Sequence, residues 1–235
     1  MTELFTRIWP DTATALTAAD VAAAIPGPPP DGRPFVAVNM IATADGRATI
    51  AGRTAPIANR GDYELFHALR DRADAVMVGA QTVRVESYGP MRQLAVLVTR
   101  SARVPADVGL LAAPGNRVVV LTPSPDATLP ACAATVGYLR GTLADGVRAL
   151  RAEHGVEAIL CEGGPQLLGD LLHAGLVDEL HLVIAPKLAG GFDPLTIVTG
   201  VALDRAADIE LRSVHESGGY LFLRYGVGLL EWGGG

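Results

Sequence analysis

Short runs of β-branched and aliphatic residues alternate with helical segments along most of this chain, and this alternation constrains the fold more than any other feature. Buried strands are predicted at residues 35–41, 75–78, 94–99, 117–122, 156–161, 179–185 and 220–225. Helices are predicted from residues 61–62 to about residue 72, over residues 143–154, and from the loop after residue 161 to residue 173. Strand–helix–strand connections of this kind form parallel sheets through right-handed crossovers. The pattern predicts an α/β fold with a mostly parallel central sheet flanked by helices.

Both ends of the chain depart from this alternation. Residues 14–25 are rich in alanine and predict a short helix, and residues 26–32 predict a stiff connector because each proline fixes φ. We therefore expect an N-terminal extension at residues 1–33, a main domain at 34–225 and a C-terminal tail at 226–235. The tail carries apolar side chains among glycines, and its sequence fits a docking segment as well as a stretch outside the natural domain.

The charge balance excludes a general nucleic-acid binder. The 235 residues include 19 basic and 25 acidic side chains, a formal net charge of −6, whereas such a protein needs a basic face. No apolar run reaches the roughly 18–20 residues of a membrane span, and the N-terminus lacks the features of a signal peptide. We expect a soluble cytoplasmic protein with no membrane or nucleic-acid partner.

Several common chemistries have no candidate residues. Lys187 is the only lysine in the sequence, which excludes a Walker loop and leaves one candidate for Schiff-base chemistry. Cys132 and Cys161 form no C-x-x-C pair and are predicted to be reduced, buried thiols. The histidines lack metal-ligand spacing, so no metal site is expected. G-x-G-x-x-G and G-x-S-x-G motifs are also absent from the sequence.

Three loops follow predicted strands, at the sheet edge where α/β proteins bind ligands. Residues 161–167 (Cys-Glu-Gly-Gly-Pro-Gln-Leu) place two glycines and a proline at a helix start, which suits a diphosphate. Residues 78–83 offer the Thr82 hydroxyl to a phosphate, and residues 99–103 offer arginine and serine to a ribose 2′-phosphate. Taken alone, the first loop is typical of a plain strand-to-helix turn, the second of a helix cap and the third of arginines that face water.

Four motifs in fixed order point to a known family. They are Val-Asn-Met-Ile-Ala-Thr-Ala-Asp-Gly-Arg at 38–47, Leu-Arg at 69–70 with Ala-Asp-Ala-Val-Met-Val-Gly-Ala-Gln-Thr-Val at 73–83, Glu-Gly-Gly-Pro at 162–165, and Gly-Leu-Val-Asp-Glu-Leu at 175–180 with Ala-Pro-Lys-Leu-Ala-Gly-Gly at 185–191. From about residue 34 to residue 225 the chain resembles the reductase half of riboflavin-biosynthesis deaminase–reductase enzymes, in the dihydrofolate-reductase-like superfamily. The zinc-binding deaminase half is not matched, so no deaminase activity is implied.

The resemblance implies a dihydrofolate-reductase-like fold and NADPH bound across the strand ends. It implies that the nicotinamide is lined by Ile41 and Ala42, and that one wall of the cofactor site is formed by Val78, Gly79, Thr82 and Glu86. It places at the diphosphate Gly163, Gly164, Pro165, Gln166 and Leu167. At the adenosine 2′-phosphate it places Arg100 and Ser101. The cofactor then supplies the hydride, and the protein supplies position and electrostatics.

The resemblance also implies a pyrimidine or pterin substrate near Asp62, Arg70 and Glu162. Asp62 is the candidate catalytic residue, because a carboxylate can accept two hydrogen bonds from an amino-pyrimidine edge and can help to deliver a proton. Two structural alternatives remain open: Asp62 as a helix N-cap, and Arg70 paired with Asp71 or Asp74.

Two departures from the family pattern bear on the substrate. Asn39 occupies a position where the family usually has lysine, and Glu86 is the only acid in residues 84–92, where the family has residues that seat a ribose phosphate. The run between Met91 and the next strand is also shorter than in the family.

These observations leave three functional hypotheses. The first is an NADPH-dependent reductase of a riboflavin intermediate of the 5-amino-6-ribosylaminouracil phosphate type. The second is an auxiliary dihydrofolate (pterin) reductase, favoured by Asp62 and the altered loop. The third is a non-catalytic nucleotide-binding protein on the same fold. The resemblance further implies a homodimer, with residues 180–188 and 220–225 as its seam.

Overall fold

The computed structural model describes residues 2–22, 26–86, 88–192, 194–203 and 206–228, and this part of the chain forms one sheet of eleven strands. The strands are β1 (Phe5–Trp9), β2 (Ala13–Leu16), β3 (Phe35–Thr43), β4 (Ala75–Gly79), β5 (Leu94–Val98), β6 (Arg117–Thr122), β7 (Thr135–Arg140), β8 (Ala158–Cys161), β9 (Glu179–Ala185), β10 (Ile209–Ser217) and β11 (Tyr220–Val227). The strand order across the sheet is β2-β1-β10-β11-β9-β3-β8-β4-β5-β6-β7.

The sheet has a parallel half and an antiparallel half. From β9 through β3, β8, β4, β5 and β6 to β7, every neighbouring pair is parallel. From β9 outward through β11, β10, β1 and β2, every pair is antiparallel. Strand β3 lies inside the parallel half, and of its nine residues only Asn39 is not fully buried. The mostly parallel α/β sheet predicted from the sequence is confirmed.

Six helices occur in the described ranges: α1 (Ala18–Val21), α2 (Arg60–Arg70), α3 (Ala80–Val85), α4 (Gly109–Ala112), α5 (Leu143–His154) and α6 (Pro165–His173). Their ends follow local chemistry. A Thr142–Asp145 capping box begins α5, and Gly155 ends it in the left-handed conformation. None of these helices is long and apolar enough to cross a membrane.

The helices cover both faces of the sheet and build the core against it. Helices α5 and α6 pack on one face through Val147, Leu150 and Leu168. On the other face, Leu65 and Leu69 of α2 pack on β3, and α3 and α4 cover β4, β5 and β6. Because α2 and α6 lie on opposite faces, their ends approach the sheet edge from both sides.

The structure corrects the interpretation of the N-terminal segment. The helix predicted over residues 14–25 is wrong for most of that length, since β2 occupies Ala13–Leu16 and α1 spans only Ala18–Val21. Residues 23–25 lie outside the described residues. Pairing of β2 with β1 at the sheet edge outweighs the helix propensity of the alanines.

Other differences are smaller. Strand β11 runs to Val227, so the predicted tail begins inside the sheet, and residues 229–235 lie outside the described residues. Cys161 is buried as predicted, but Cys132 is only half-buried. The sequence pattern does not predict β1, β7 or β10, which contain polar or exposed positions instead of an apolar run.

Candidate active site

Within the part of the chain that the structure describes, a large cleft runs along the carboxyl ends of the parallel strands. Its volume is about 1370 Å³, and its walls include Ile41 after the middle of β3, Gly79 at the end of β4 and Gly163 after β8. This is the edge at which α/β sheets bind ligands. Because single-ligand pockets measure roughly 300–1000 Å³, the cleft has room for two ligands side by side.

Two glycine loops meet in the middle of the cleft. The Gly79 amide donates to the Gly163 carbonyl at 3.0 Å, and a Cβ on Gly164 would lie 3.1 Å from the Thr82 hydroxyl oxygen. Gly163 has a φ of +95°, which disfavours a side chain, and its peptide bond to Gly164 is cis. The chain therefore exposes backbone at the point where β4 and β8 end.

Helix α6 begins at this junction without a side-chain cap. Gly164 is its N-cap, and Pro165 occupies the first turn, where its missing N–H costs nothing. The amides of Gln166 and Leu167 belong to the same turn and have no carbonyl partner within the helix. Their N–H groups and the positive end of the nine-residue helix fit an anionic group.

The loop after β5 contributes a cation near α6. Arg100 and Ser101 line the cleft. The Arg100 side chain is 76% exposed, and its Nη2 lies 3.8 Å from Oδ2 of Asp170 on α6. At that distance and exposure the ion pair is weak, so the guanidinium is available to a phosphate.

Helix α2 presents a polar and aromatic face to the other end of the cleft. Asp62, Tyr63, Phe66, His67 and Arg70 all line it, and they follow one another at helical spacing. The prediction that Asp62 caps this helix is wrong. Asn59 is the N-cap and accepts a hydrogen bond from the Asp62 amide at 2.8 Å. Asp62 is thus in the first turn, with its carboxylate free of a capping role.

The Asp62 carboxylate is half-buried, and no described residue donates a hydrogen bond to it. Loss of surrounding water raises the pKa of this carboxyl to about 6, because burial penalises the ionised form. An unpartnered carboxylate inside a cleft is a typical feature of a site that completes its hydrogen bonds with a ligand.

At the far end of α2, Arg70 and Glu162 form a buried bidentate ion pair. Nε of Arg70 lies 2.5 Å from Oε1 of Glu162, and Nη2 lies 2.7 Å from Oε2. The Arg70 guanidinium also lies 4.2 Å from the ring centre of Phe66, and the Tyr88 hydroxyl is hydrogen-bonded to Glu162. Burial raises the pKa of Glu162, and the hydrogen bonds from Arg70 oppose that rise. Arg70 therefore does not pair with Asp71 or Asp74.

Most of the residues selected from the sequence line the cleft, with two exceptions. Ala42 and Val78 are buried in the sheet and do not reach it. Glu86 reaches it, but its Oε1 accepts two hydrogen bonds from Thr54, both of 3.0 Å, and ties down the segment before α2. Lys187 lies outside the cleft wall and donates to the Pro56 and Ile57 carbonyls.

Asn39, which the sequence marks only as a departure from the family pattern, also lines the cleft. It lies on β3 beside His181 of β9. Its Oδ1 is buried, and no hydrogen-bond donor among the described residues reaches it. Tyr63, Phe66 and Tyr88 were also missed, although Phe66 lies one helical turn after Asp62 and one turn before Arg70, a spacing that indicates a shared face.

The comparisons with known proteins agree with this geometry. Residues 34–222 match the family described as the RibD C-terminal domain. The chain is 31% identical over 216 residues to the 2,5-diamino-6-ribosylamino-4(3H)-pyrimidinone 5′-phosphate reductase of Methanothermobacter thermautotrophicus, with 83% of this chain and 99% of that protein covered. It is 28% identical over 218 residues to the riboflavin biosynthesis protein RibD of Actinobacillus pleuropneumoniae, covering 83% of this chain and 57% of that protein.

Solved structures show the same fold. A pyrimidine reductase-like protein from Corynebacterium diphtheriae superimposes with a TM-score of 0.74 at 25% identity, covering 90% of this chain and 99% of that one. Dihydrofolate reductase of Enterococcus faecalis shares the fold alone, with a TM-score of 0.50 and 13% identity over 82% of this chain and 96% of that one. The family resemblance and the dihydrofolate-reductase-like fold predicted from the motifs are confirmed.

Proposed function

This chain belongs to the RibD C-terminal domain family, and from that membership we propose that it is a riboflavin-pathway oxidoreductase that reduces a ribosylaminopyrimidine phosphate with NADPH. The observation that carries the proposal is one cleft with two chemically different halves. One half exposes glycine backbone, a helix N-terminus and Arg100. The other presents a carboxylate and aromatic rings. Bound NADPH would supply a hydride, and the protein's part is to bind and orient two molecules.

The cofactor half fits a dinucleotide with a 2′-phosphate. The uncapped amides of Gln166 and Leu167 would bind the diphosphate, and Gly163 and Gly164 leave its approach clear of side chains. Arg100 would bind the 2′-phosphate as a bidentate donor. Ile41, which lines the cleft between the two halves, would flank the nicotinamide.

The substrate half would hold a flat heterocycle against α2. Phe66 offers a ring face, and Asp62 offers two acceptor oxygens in the adjacent turn. Glu162 would act on the substrate indirectly, because Arg70 and Tyr88 occupy its carboxylate and it holds Arg70 in place. Asp62 is the candidate to bind the ring and to share a proton with it.

The test of this function is the loss of NADPH absorbance when purified protein is offered the ribosylaminopyrimidine phosphate. Turnover is expected with NADPH. NADPH binding with no turnover of a pyrimidine or a pterin would refute the reductase assignment and favour a non-catalytic nucleotide-binding protein.

The NADPH preference has a separate test in Arg100→Ala. We expect NADPH binding to weaken by about tenfold or more, as for loss of a charge-assisted pair, with NADH binding unchanged. Arg103→Ala is the matched control, because Arg103 is an exposed arginine of the same loop that does not line the cleft. Equal losses for both cofactors in Arg100→Ala would refute a role at the 2′-phosphate.

A second candidate function is reduction of a pterin such as dihydrofolate. It is favoured by the charges that α2 presents to the cleft. Arg70 is already paired with Glu162, and burial and the charge of Arg70 lower the pKa of His67, which disfavours the cationic form of this imidazole. Among the described cleft residues of α2, no free cation is left for a substrate phosphate. Dihydrofolate, which carries no phosphate, is therefore the second substrate to assay.

We also propose a homodimer. Supporting it, Leu182, Ile184, Leu221 and Leu223 are only half-buried on adjacent strands, and Leu188 is 82% exposed. Light scattering of the intact protein is expected to give twice the chain mass, and Leu221→Glu to give the monomer. A monomeric wild-type protein would refute the proposal.

A further inference from the structure

A single turn of chain forms part of the rim of the substrate half just before α2. Residues 54–58 (Thr-Ala-Pro-Ile-Ala), here called the rim turn, place Thr54, Ala55 and Ala58 on the cleft wall. Within the turn, the Ile57 and Ala58 amides donate to the Thr54 carbonyl at 2.8 and 3.2 Å. One isolated helical turn is unstable in water. The position of the rim turn therefore depends on contacts with other parts of the chain.

Side chains of opposite charge hold the two ends of the rim turn. At its start, Oε1 of Glu86 accepts hydrogen bonds from the amide and the hydroxyl of Thr54, both of 3.0 Å. At its end, Nζ of Lys187 donates to the Pro56 carbonyl at 2.7 Å and to the Ile57 carbonyl at 3.1 Å. The peptide dipoles of a helical turn favour an anion at the amide end and a cation at the carbonyl end. Both side chains thus have the charge that the turn favours.

Lys187 reaches the rim turn from the segment after β9 and is half-buried there. Its ammonium lies 5.8 Å from the ring centre of Tyr220, and the Tyr220 hydroxyl donates to the same Ile57 carbonyl at 2.8 Å. The Ile57 side chain is fully buried. Two donors on one carbonyl, together with this buried side chain, fix the end of the rim turn against β9 and β11.

The end of the rim turn sets the start of α2. Ala58 is followed directly by Asn59, the N-cap of this helix. From there α2 runs along the cleft and presents Phe66 and Arg70 to it. A displacement of the rim turn would therefore move this face of α2 relative to the sheet. A misplacement of about 1 Å at a reacting centre can lower a rate by about 100-fold.

We propose that Lys187 is a positioning residue of the reductase reaction, which holds the rim turn, and with it the start of α2, in the position that hydride transfer requires. The proposal rests on the proposed function and adds to it a residue outside the cleft wall. In this role Lys187 acts through the backbone of residues 56 and 57. The role differs from Schiff-base chemistry, in which the lysine nitrogen must bond to a carbon of the substrate.

The experiment compares the wild-type protein with Lys187→Met and Lys187→Arg. Methionine keeps an unbranched side chain without donors, whereas a guanidinium can still donate to two neighbouring carbonyls. With NADPH and the ribosylaminopyrimidine phosphate, kcat of Lys187→Met is expected to fall by about 10- to 100-fold. Lys187→Arg should restore kcat to within about threefold of the wild-type value.

NADPH binding separates positioning from a general loss of structure. The Kd of Lys187→Met for NADPH should stay within about twofold of the wild-type value. The reason is that Lys187 donates to the rim turn, whereas the proposed diphosphate site lies at the start of α6. Arg53→Met is the matched control, because Arg53 is an exposed cation next to the rim turn that does not line the cleft. Its kcat should equal that of the wild-type protein.

Tyr220→Phe tests the same turn with a smaller change. It removes one of the two donors to the Ile57 carbonyl and leaves Lys187 in place. Its kcat is expected to fall by about threefold, as for loss of one hydrogen bond. This variant also decides the question if Lys187→Met does not fold, since an unchanged kcat in Tyr220→Phe would show that the rim turn does not control the reaction.

Hydrogen exchange followed by mass spectrometry gives a readout that needs no turnover. Peptides that cover residues 54–62 are expected to exchange at least about tenfold faster in Lys187→Met than in the wild-type protein. Peptides from residues 165–173 should exchange at an unchanged rate. Lys187→Arg should return the exchange of residues 54–62 to the wild-type rate.

Three results with Lys187→Met or Lys187→Arg overturn the proposal. The first is an unchanged kcat or an unchanged exchange rate over residues 54–62 in Lys187→Met. The second is an equal loss of kcat and of NADPH affinity, which indicates general damage to the fold. The third is a Lys187→Arg protein that is inactive although residues 54–62 exchange at the wild-type rate, which indicates a nucleophilic lysine. Failure of the proposed function is a different result, in which the wild-type protein transfers no hydride to the pyrimidine phosphate or to dihydrofolate; the exchange rates then decide whether Lys187 holds the rim turn.

Discussion

Removal of the Arg70 guanidinium should be one of the most damaging single changes in the cleft. Its two hydrogen bonds to Glu162, at 2.5 and 2.7 Å, compensate a carboxylate whose side chain is 1% exposed. Breaking a buried ion pair from one side costs about 3–5 kcal/mol, because the remaining charge is left without a partner. For a chain of this size 1 kcal/mol corresponds to about 2–4 °C. Arg70→Met is therefore expected to lower Tm by roughly 6–20 °C.

The loss of stability in Arg70→Met should depend on pH in a defined direction. Burial already raises the pKa of Glu162 above its usual 4.5, and in Arg70→Met the opposing hydrogen bonds are gone, so this pKa rises further. A carboxyl whose pKa is higher in the folded than in the unfolded state destabilises the fold above the unfolded value. The difference in stability between the wild-type protein and Arg70→Met should be greatest at alkaline pH and should shrink as the pH falls toward 4.5.

Thermal unfolding followed by circular dichroism across this pH range measures both quantities. The control is Arg60→Met, because Arg60 lies on the same helix and pairs with Glu64 while 57% exposed, so its loss should stay within about 1 kcal/mol. The double variant Arg70→Met/Glu162→Gln should recover much of the lost stability, since no charge then remains buried. Equal losses in Arg70→Met and Arg60→Met, or a deficit that does not change with pH, would refute the reasoning.

Three further measurements test other parts of the structure. Asp62→Asn should raise Tm by a few degrees at pH 8, because burial holds the pKa of Asp62 at about 6 and its ionised form destabilises the fold. The gain should shrink as the pH falls below 6 and vanish below the usual pKa of 3.8, and an equal gain at pH 8 and at pH 3.5 would contradict it. Gly169→Ala should destabilise α6 by more than about 2 kcal/mol although alanine favours helices, because its Cβ would lie 2.1 Å from the Thr199 carbonyl oxygen. In urea unfolding, Gly115→Ala, where a Cβ meets nothing within 4 Å, should have little effect. The Cys161 thiol, buried and with a pKa raised to about 12, should resist a thiol reagent until the protein unfolds, and rapid labelling of Cys161 located by mass spectrometry would show that β8 opens.

The sequence predicts the parallel half of the fold well, apart from the edge strand β7, because its signals are local. A buried parallel strand is an apolar run that ends at a glycine, proline or polar residue, as Leu94–Val98 and Ala158–Cys161 show. The antiparallel strands β1 and β10 lack that signature, because they mix exposed polar residues with apolar ones and depend on pairing between distant segments. Pairing between strands about 200 residues apart produces no local sequence pattern from which it could be predicted.

The residues of the cleft also divide into those that local sequence predicts and those that depend on distant segments. The glycine loop at residues 162–165 could be recognised because tight turns and helix starts require particular residue types at adjacent positions. The partner of Arg70 could not be recognised from the sequence. Asp71 and Asp74 are near Arg70 in the sequence, whereas Glu162 is 92 residues away and contacts Arg70 only in the folded protein. The orphan acceptor of Asn39 is also invisible in sequence, since it is defined by the donors that its neighbours do not supply.

Helix α2 explains why the substrate half carries unsatisfied acceptors at one end and a satisfied pair at the other. Asp62 and Arg70 lie eight residues apart, so they stand about 12 Å apart along the helix axis and cannot neutralise each other directly. Glu162, in the loop after β8, pairs with Arg70, and the Asp62 carboxylate has no hydrogen-bond donor among the described residues. A phosphate could gain Arg70 only by displacing a bidentate, desolvated carboxylate, a costly exchange. If the proposed function holds, charge complementarity at this end of the cleft favours the ring of the substrate over its phosphate as the group that α2 contacts.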